Sequence, residues 1–386
     1  MIVLSNLAAV AVDFFYLLIA QLTGQEWIAE LTRNLWINIP TTLVFVAVAT
    51  WISYRGLNAT KRSSTCWWLP GGGAAVVRDH VLHQPEPFDR TPITLEMFNP
   101  AAVESFTAFA AGVSLSIFIF WGWDVTLTMN EETTDPEKVP GRAATLTVLI
   151  IIALYMAVSL GVIYYAGIGT EGLGAGNPEN QESIFAVLSG PVMGPLAILM
   201  SLAILSSSAA SLQSTLVSPA RTILSMGYYK ALPEKYARIS PRFMSPSVAT
   251  VTAAVAAAGF YVVTRILSEN ALWDTITALG MMICFYYGLT ALACVWYFRT
   301  ELFDSVRNIL FKFLAPLIGG VVLLVMFVRT CIDSMDPAYG SGSSIGGVGM
   351  VFILGVGVLA LGVVIMLVMR VKHPAFFRGE TIKTKR

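Results

Sequence analysis

Nine stretches of this 386-residue chain are long and apolar enough to cross a bilayer, and no other feature constrains its fold as tightly. They cover residues 1–22, 35–54, 106–129, 143–167, 187–210, 247–266, 273–298, 309–328 and 347–370. Roughly 20 apolar residues in a helix match the hydrocarbon thickness. No water is available there, so each backbone polar group must be satisfied within the protein, which leaves helices or closed barrels. Apolar runs of this length select helices. Only 12% of the residues are charged and 56% are hydrophobic, whereas a soluble domain carries about 25% charge. The fold class is therefore an all-α polytopic membrane protein. The first stretch carries Asp13 at its middle and has no basic residues before it, so it reads as a span and not as a leader. Beyond residue 210 the helix is expected to continue as an amphipathic extension to Met226.

A tenth span is required by charge but barely visible in hydropathy. Residues 62–87 include Ser63, Ser64, Thr65, Cys66, Trp67, Trp68, Leu69, Pro70 and three glycines, then Arg78, Asp79 and His80. Their uncharged apolar part is about half of what a span needs. If this segment crosses and the C-terminus is cytoplasmic, 19 of the 24 Lys and Arg residues fall in cytoplasmic loops and the tail. Basic residues concentrate on the cytoplasmic side of membrane proteins, so the position ought to span. The basic tail, 371–386, is expected to lie on anionic headgroups.

Residues 118–124 read Phe-Ile-Phe-Trp-Gly-Trp-Asp, with Asn130, Glu131 and Glu132 close behind. Asp124 then lies roughly 10 Å inside the polar boundary, too deep for a short side chain to reach water easily. A charge at that depth costs at least about 2.5–3.5 kcal/mol and ordinarily faces a bundle interior or cavity. A glycine among bulky aromatics is where a spanning helix can unwind, and unwound backbone survives at mid-membrane only beside a cavity. The helix over 106–129 is therefore expected to break near residues 121–123, and Phe120, Trp121, Gly122, Trp123 and Asp124 are the leading candidates to hold a substrate. Phe285, Tyr286 and Tyr287 beside Gly288 read equally well as helix packing or as a gate over that substrate. Ser206, Ser207, Ser208, Ser211 and Gln213 read first as close-packing and hydrogen-bonding positions. Asp13 suits either an interhelical pair or a proton path, and Glu269 and Asp274 are expected to be solvated near the outer interface.

Motifs for catalysis are missing: there is no HExxH, no phosphate-cradling loop and no nucleophile elbow. The four cysteines show no metal-ligand spacing and read as small hydrophobes. The chain reads as neither an enzyme nor a nucleic-acid binder, and its sequence implies no cofactor or metal.

Four sets of residues give the chain a likeness to known proteins. Trp121-Gly122-Trp123-Asp124 through Asn130-Glu131-Glu132-Thr133, then Asp135-Pro136 and Pro140-Gly141-Arg142-Ala143, form the first. Ser218-Pro219-Ala220-Arg221, Ser225-Met226 and Ala231-Leu232-Pro233 form the second, and Ile239-Ser240-Pro241-Arg242 with Ser245-Pro246 the third. Ser268-Glu269-Asn270, Ala278-Leu279-Gly280 and Phe285-Tyr286-Tyr287-Gly288 form the fourth. In order and spacing they resemble the amino acid–polyamine–organocation superfamily, and within it the bacterial amino acid permeases. The resemblance implies a leucine-transporter-like inverted-repeat bundle in one transmembrane domain, 1–370, with about nine or ten helices of an expected twelve. It also implies a multi-pass protein of the cytoplasmic membrane that carries an amino acid or related amine, with the sixth and tenth helices lining the site and the eighth as scaffold. The substrate and the lipid bilayer are its expected partners, and proton coupling is expected ahead of sodium.

Two departures accompany the likeness. Met1 falls inside what resembles the third helix, so the family's first two helices, and the first helix's grip on a substrate carboxylate, are expected to be absent. Residues 62–87 stand where the family has its fifth helix; a reading-frame slip and a genuinely divergent loop both account for them. A non-transporting remnant of a permease gene is the alternative that these departures raise.

The charge distribution generates a direct test. Cysteines placed beside Lys138, Lys235 and Lys312 and in the C-terminal tail should resist an impermeant thiol reagent in intact cells. Labelling beside Lys235 from outside would overturn the orientation.

Overall fold

The computed structural model describes residues 2–55, 91–103, 105–124, 127, 133, 135–177, 180, 184–267 and 271–381. Residues 62–87, Asn130, Glu131, Glu132, Glu269 and Asn270, which carried several of the expectations above, lie outside that set. The helices are α1 (Ile2–Thr23), α2 (Leu35–Tyr54), α3 (Phe106–Ile119), α4 (Val139–Ala166), α5 (Ile184–Met193) and α6 (Ala197–Tyr228). They are followed by α7 (Ser247–Leu267), α8 (Ala271–Tyr297), α9 (Val306–Asp333), α10 (Met350–Lys372) and the single turn α11 (Pro374–Phe377). A two-residue hairpin, β1 (Ser344–Ile345) with β2 (Val348–Gly349), precedes α10. Among the described residues, eight helices or helix runs are long and apolar enough to span a membrane, with α5 and α6 counted as one run.

Local chemistry explains the boundaries. Asn34 caps α2, its side chain accepting the Trp36 N–H at 3.0 Å, and such a cap satisfies one of the orphan donors of a first turn. Pro140 opens α4, where its missing N–H is harmless. Gly194 at φ +53 and Pro195 separate α5 from α6. From there α6 runs unbroken for 32 residues, so the expected extension beyond residue 210 is part of one long helix.

The described residues divide into two compact units. One comprises Met1–Leu95, Trp123–Ile266 and Ala375–Arg386. In it α1 lies along α6, with α2 and α7 completing a four-helix core. That core is built from Leu4, Ala8, Val46, Ala49, Leu212, Leu216, Ala253, Ala254 and Ala257. Small residues let helix backbones approach closely, which is how packing holds helices together where lipid removes the hydrophobic drive. Polar atoms there bond between helices. Tyr261 of α7 donates to Asn38 Oδ1 of α2, and Ser53 Oγ of α2 donates to the Gln213 carbonyl of α6 at 3.2 Å. Asp13 of α1 and Arg265 of α7 are both electrostatic neighbours of Tyr261, so the α1 carboxylate looks across to α7. In the same unit α4 buries only Pro140, Ala144 and Ala166 and exposes Leu146, Leu149, Ile150 and Leu154, a surface suited to lipid.

The other unit comprises Glu96–Gly122 and Leu267–Pro374, and so holds α3, α8, α9 and α10. Ala110 of α3, Cys284 of α8 and Met326 of α9 form its core, with Phe109, Val113, Ile117, Leu323 and Phe327 against them. Glycines set the closest approaches. A Cβ on Gly288 would lie 2.8 Å from Leu324 Cγ, and one on Gly280 would lie 2.6 Å from the Ser114 carbonyl oxygen.

One expectation is corrected. Asp274 is not solvated: its exposure is 0%. Its carboxylate accepts the Ser341 N–H at 2.9 Å and the Ser341 hydroxyl at 2.7 Å. A helix start followed by apolar residues resembles an interface in sequence, but here the 334–349 connection folds back over it.

Candidate functional site

The helix α3 ends early inside an apolar segment. Ser105 caps the helix start, accepting the Ala108 N–H at 3.1 Å. After 14 residues the helix ends at Ile119. Fourteen residues reach only about 21 Å, short of the ~30 Å hydrocarbon core, so the helix stops within the span. The last turn tightens: Phe120 N–H bonds the Ser116 carbonyl at 3.1 Å, and Trp121 N–H bonds the Phe118 carbonyl at 3.0 Å. Gly122 then takes φ +110, a backbone conformation essentially closed to residues with a Cβ. Nothing lies within 4 Å of where its Cβ would be, so conformation rather than space requires the glycine.

The helix stops at Ile119, two residues before the break expected near residues 121–123. Phe120, Trp121 and Gly122 belong to the unit of α8–α10, and the chain passes into the other unit at Trp123 and Asp124. All five residues from 120 to 124 are intermediate in exposure. The Trp121 indole Nε1 is buried and has no hydrogen-bond partner among the described residues. A buried N–H left unpaired costs about 1–3 kcal/mol, so this position calls for an acceptor. Asp124 Oδ1 is also shielded from solvent.

The aromatics of α8 sit differently. Phe285 packs against Phe327 of α9 with ring centroids 5.0 Å apart and the rings tilted by 46°, and Gly288 presses on Leu324 and Gly320. Tyr286 is 37% exposed and lies against Tyr287 at 4.3 Å. Helices α3 and α8 meet where Gly280 touches Ser114. From that crossing Trp121 is about 10 Å along one helix and Phe285 about 8 Å along the other.

A second polar cluster escaped the sequence reading. Beside Asp274 and Ser341 lies Tyr339, whose neighbours are Thr330, Ser114 and Asp333; burial pushes its phenol above the ordinary value. Arg329 pairs with Asp333 at 2.9 Å and donates to Thr107 Oγ1 of α3 at 2.8 Å. No spacing rule links these residues, since Asp274 and Ser341 are 67 positions apart. Among the described residues no cluster of three His, Cys, Asp or Glu side chains is placed to hold a metal.

With this geometry in view, the comparison with known families is decisive. The family model described as amino acid permease matches residues 2–335. The chain belongs to the amino acid permease family. No curated protein matches it. Family membership makes it a multi-pass membrane protein of a transporter family and not of an enzyme family, with an amino acid as the class of substrate. The permease break at Gly122 thus lies in a protein whose family moves amino acids.

The glycines provide a test of this geometry. Gly280→Ala forces a Cβ against the Ser114 backbone and should destabilise the permease by about 1–3 kcal/mol in detergent thermal unfolding. Gly259→Ala meets open space on α7 and should be neutral or mildly stabilising. Equal effects at the two sites would contradict the close α3–α8 crossing.

Proposed function

We propose that this chain is a secondary active transporter that carries an amino acid or a related amine across the cytoplasmic membrane by alternating access. The observation that carries the reading is the α3 break, with Gly122 at φ +110 and the Trp121 indole N–H buried without a partner among the described residues. Family membership supplies the substrate class. A zwitterion at mid-membrane needs donors for its carboxylate and an anionic partner for its ammonium. Trp121 Nε1–H offers a donor for the first need, and Asp124, three residues along the chain, is the candidate carboxylate for the second, with Phe120 and Trp123 as the aromatic candidates beside them in sequence. Phe285 and Tyr286 of α8 complete the substrate-binding set. Gly122 lies beyond the end of α3 at Ile119 and offers the alternating step a hinge. The driving ion is the proton in preference to sodium, and the C-terminal tail is cytoplasmic, as the distribution of Lys and Arg supports.

Uptake of a mixture of radiolabelled protein amino acids into proteoliposomes, under an imposed proton gradient, tests this reading. Saturable uptake that collapses with the gradient is expected. Trp121→Phe keeps the bulk but removes the N–H, and should raise the half-saturating concentration roughly tenfold, the equivalent of one hydrogen bond to a charged group. Asp124→Asn should weaken transport. Saturable uptake that is indifferent to both substitutions would remove residues 120–124 from the site.

A further inference from the structure

The 334–349 connection between α9 and α10 is far more tightly fastened than joining two helices requires, since neighbouring helices are commonly linked by a few residues. It closes on itself, with Gly349 N–H bonding the Met335 carbonyl at 2.9 Å, and it meets α9 through Tyr339, whose neighbours include Thr330. Next is α10, where a Cβ on Gly340 would lie 2.6 Å from Val351 Cγ2. It then meets α3 through Tyr339, which lies beside Ser114. Finally it meets α8 through Asp274, whose two carboxylate oxygens each take one bond from Ser341. Ser341 is itself held in place, its Oγ 2.8 Å from Ser343 Oγ and accepting the Ser343 N–H at 3.3 Å. All four helices of this unit therefore touch one strap.

Asp274 is the costly part of the arrangement. A fully buried carboxylate in a membrane domain loses its hydration and is retained where hydrogen bonds replace it. Gly340 allows that replacement, because its missing Cβ would lie 2.7 Å from Asp274 Oδ1. The site lies on the same helix pair as the break: Ser114, the residue beside Tyr339, is the one whose carbonyl meets Gly280 at the α3–α8 crossing.

We propose that Asp274 is a positioning residue for transport. Through Ser341 it seats the strap, and through Tyr339 the strap holds α3 at its crossing with α8, which fixes where the helix stops before Gly122. The inference rests on the transport reading above. What the latch uses is the shape of two hydrogen bonds. Asp274→Asn keeps an acceptor for the Ser341 N–H and offers its amide to Ser341 Oγ, so it preserves the latch without the charge. Asp274→Ala removes both acceptors, and Ser341→Ala removes only the hydroxyl.

Hydrogen exchange in lipid nanodiscs reads the strap without reference to substrate. In Asp274→Ala, exchange at residues 334–349 and at 110–119 should rise by about tenfold or more, since local opening follows the lost anchoring. In the same sample α1 and α6 should be unchanged. Ser341→Ala should be intermediate, and Asp274→Asn near wild type. In proteoliposomes supplied with the radiolabelled amino acid mixture, Asp274→Ala should raise the half-saturating concentration about tenfold, and Asp274→Asn should leave it within about twofold. Unchanged exchange at 110–119 in Asp274→Ala would overturn the proposal, as would an Asn variant that behaves like the Ala variant. If the wild-type chain shows no uptake, the transport reading fails and with it the positioning role, while the exchange data alone then decide whether the strap holds α3. Should Asp274→Ala fail to fold, Ser341→Ala carries the same test.

Discussion

In hydrocarbon a backbone N–H or C=O released from its helix has no water to turn to, and the stopping point of α3 is the place where this chain must answer that constraint. The helix gives out at Ile119, tightens for one turn and turns away at Gly122 with φ +110. Everything characteristic of the candidate site follows from that stop. It leaves the Trp121 indole N–H buried and without an acceptor among the described residues. It also brings Asp124 into the span without making it part of a regular helix.

The two units solve the packing problem in different ways. Around α1 and α6 the core is rich in alanine and crossed by hydroxyl and amide hydrogen bonds, a close-packed scaffold of small residues. Around α8 and α9 the core depends on glycine at the contact points and on larger side chains such as Phe327 and Met326 beside them. One polar cluster of this second unit, Asp274, Ser341, Tyr339, Thr330 and Ser114, gathers under the 334–349 strap. That arrangement puts the stiffest anchoring next to α3, the helix that carries the break.

Much of this was legible from residue order. Apolar runs marked the spans because hydropathy over some twenty residues is a one-dimensional signal. The break was legible for a local reason as well: a glycine among aromatics ahead of a carboxylate is a short-range pattern. The strap was not legible. Asp274 sits at a helix start, where a carboxylate is ordinary, and only the return of Ser341 from 67 residues away buries it. Phe285 posed the opposite problem. Beside Gly288 it resembled a gate as much as a packing residue, and its neighbour Phe327 belongs to a helix that the local pattern does not mention.

Cryo-electron microscopy of the chain in lipid nanodiscs, with and without a saturating amino acid mixture, tests the central claim most directly. The account predicts that α3 ends at Ile119 in both maps and that added density touches Trp121 Nε1 only when amino acids are present. A helix running unbroken through Asp124, with that carboxylate facing lipid, would contradict it.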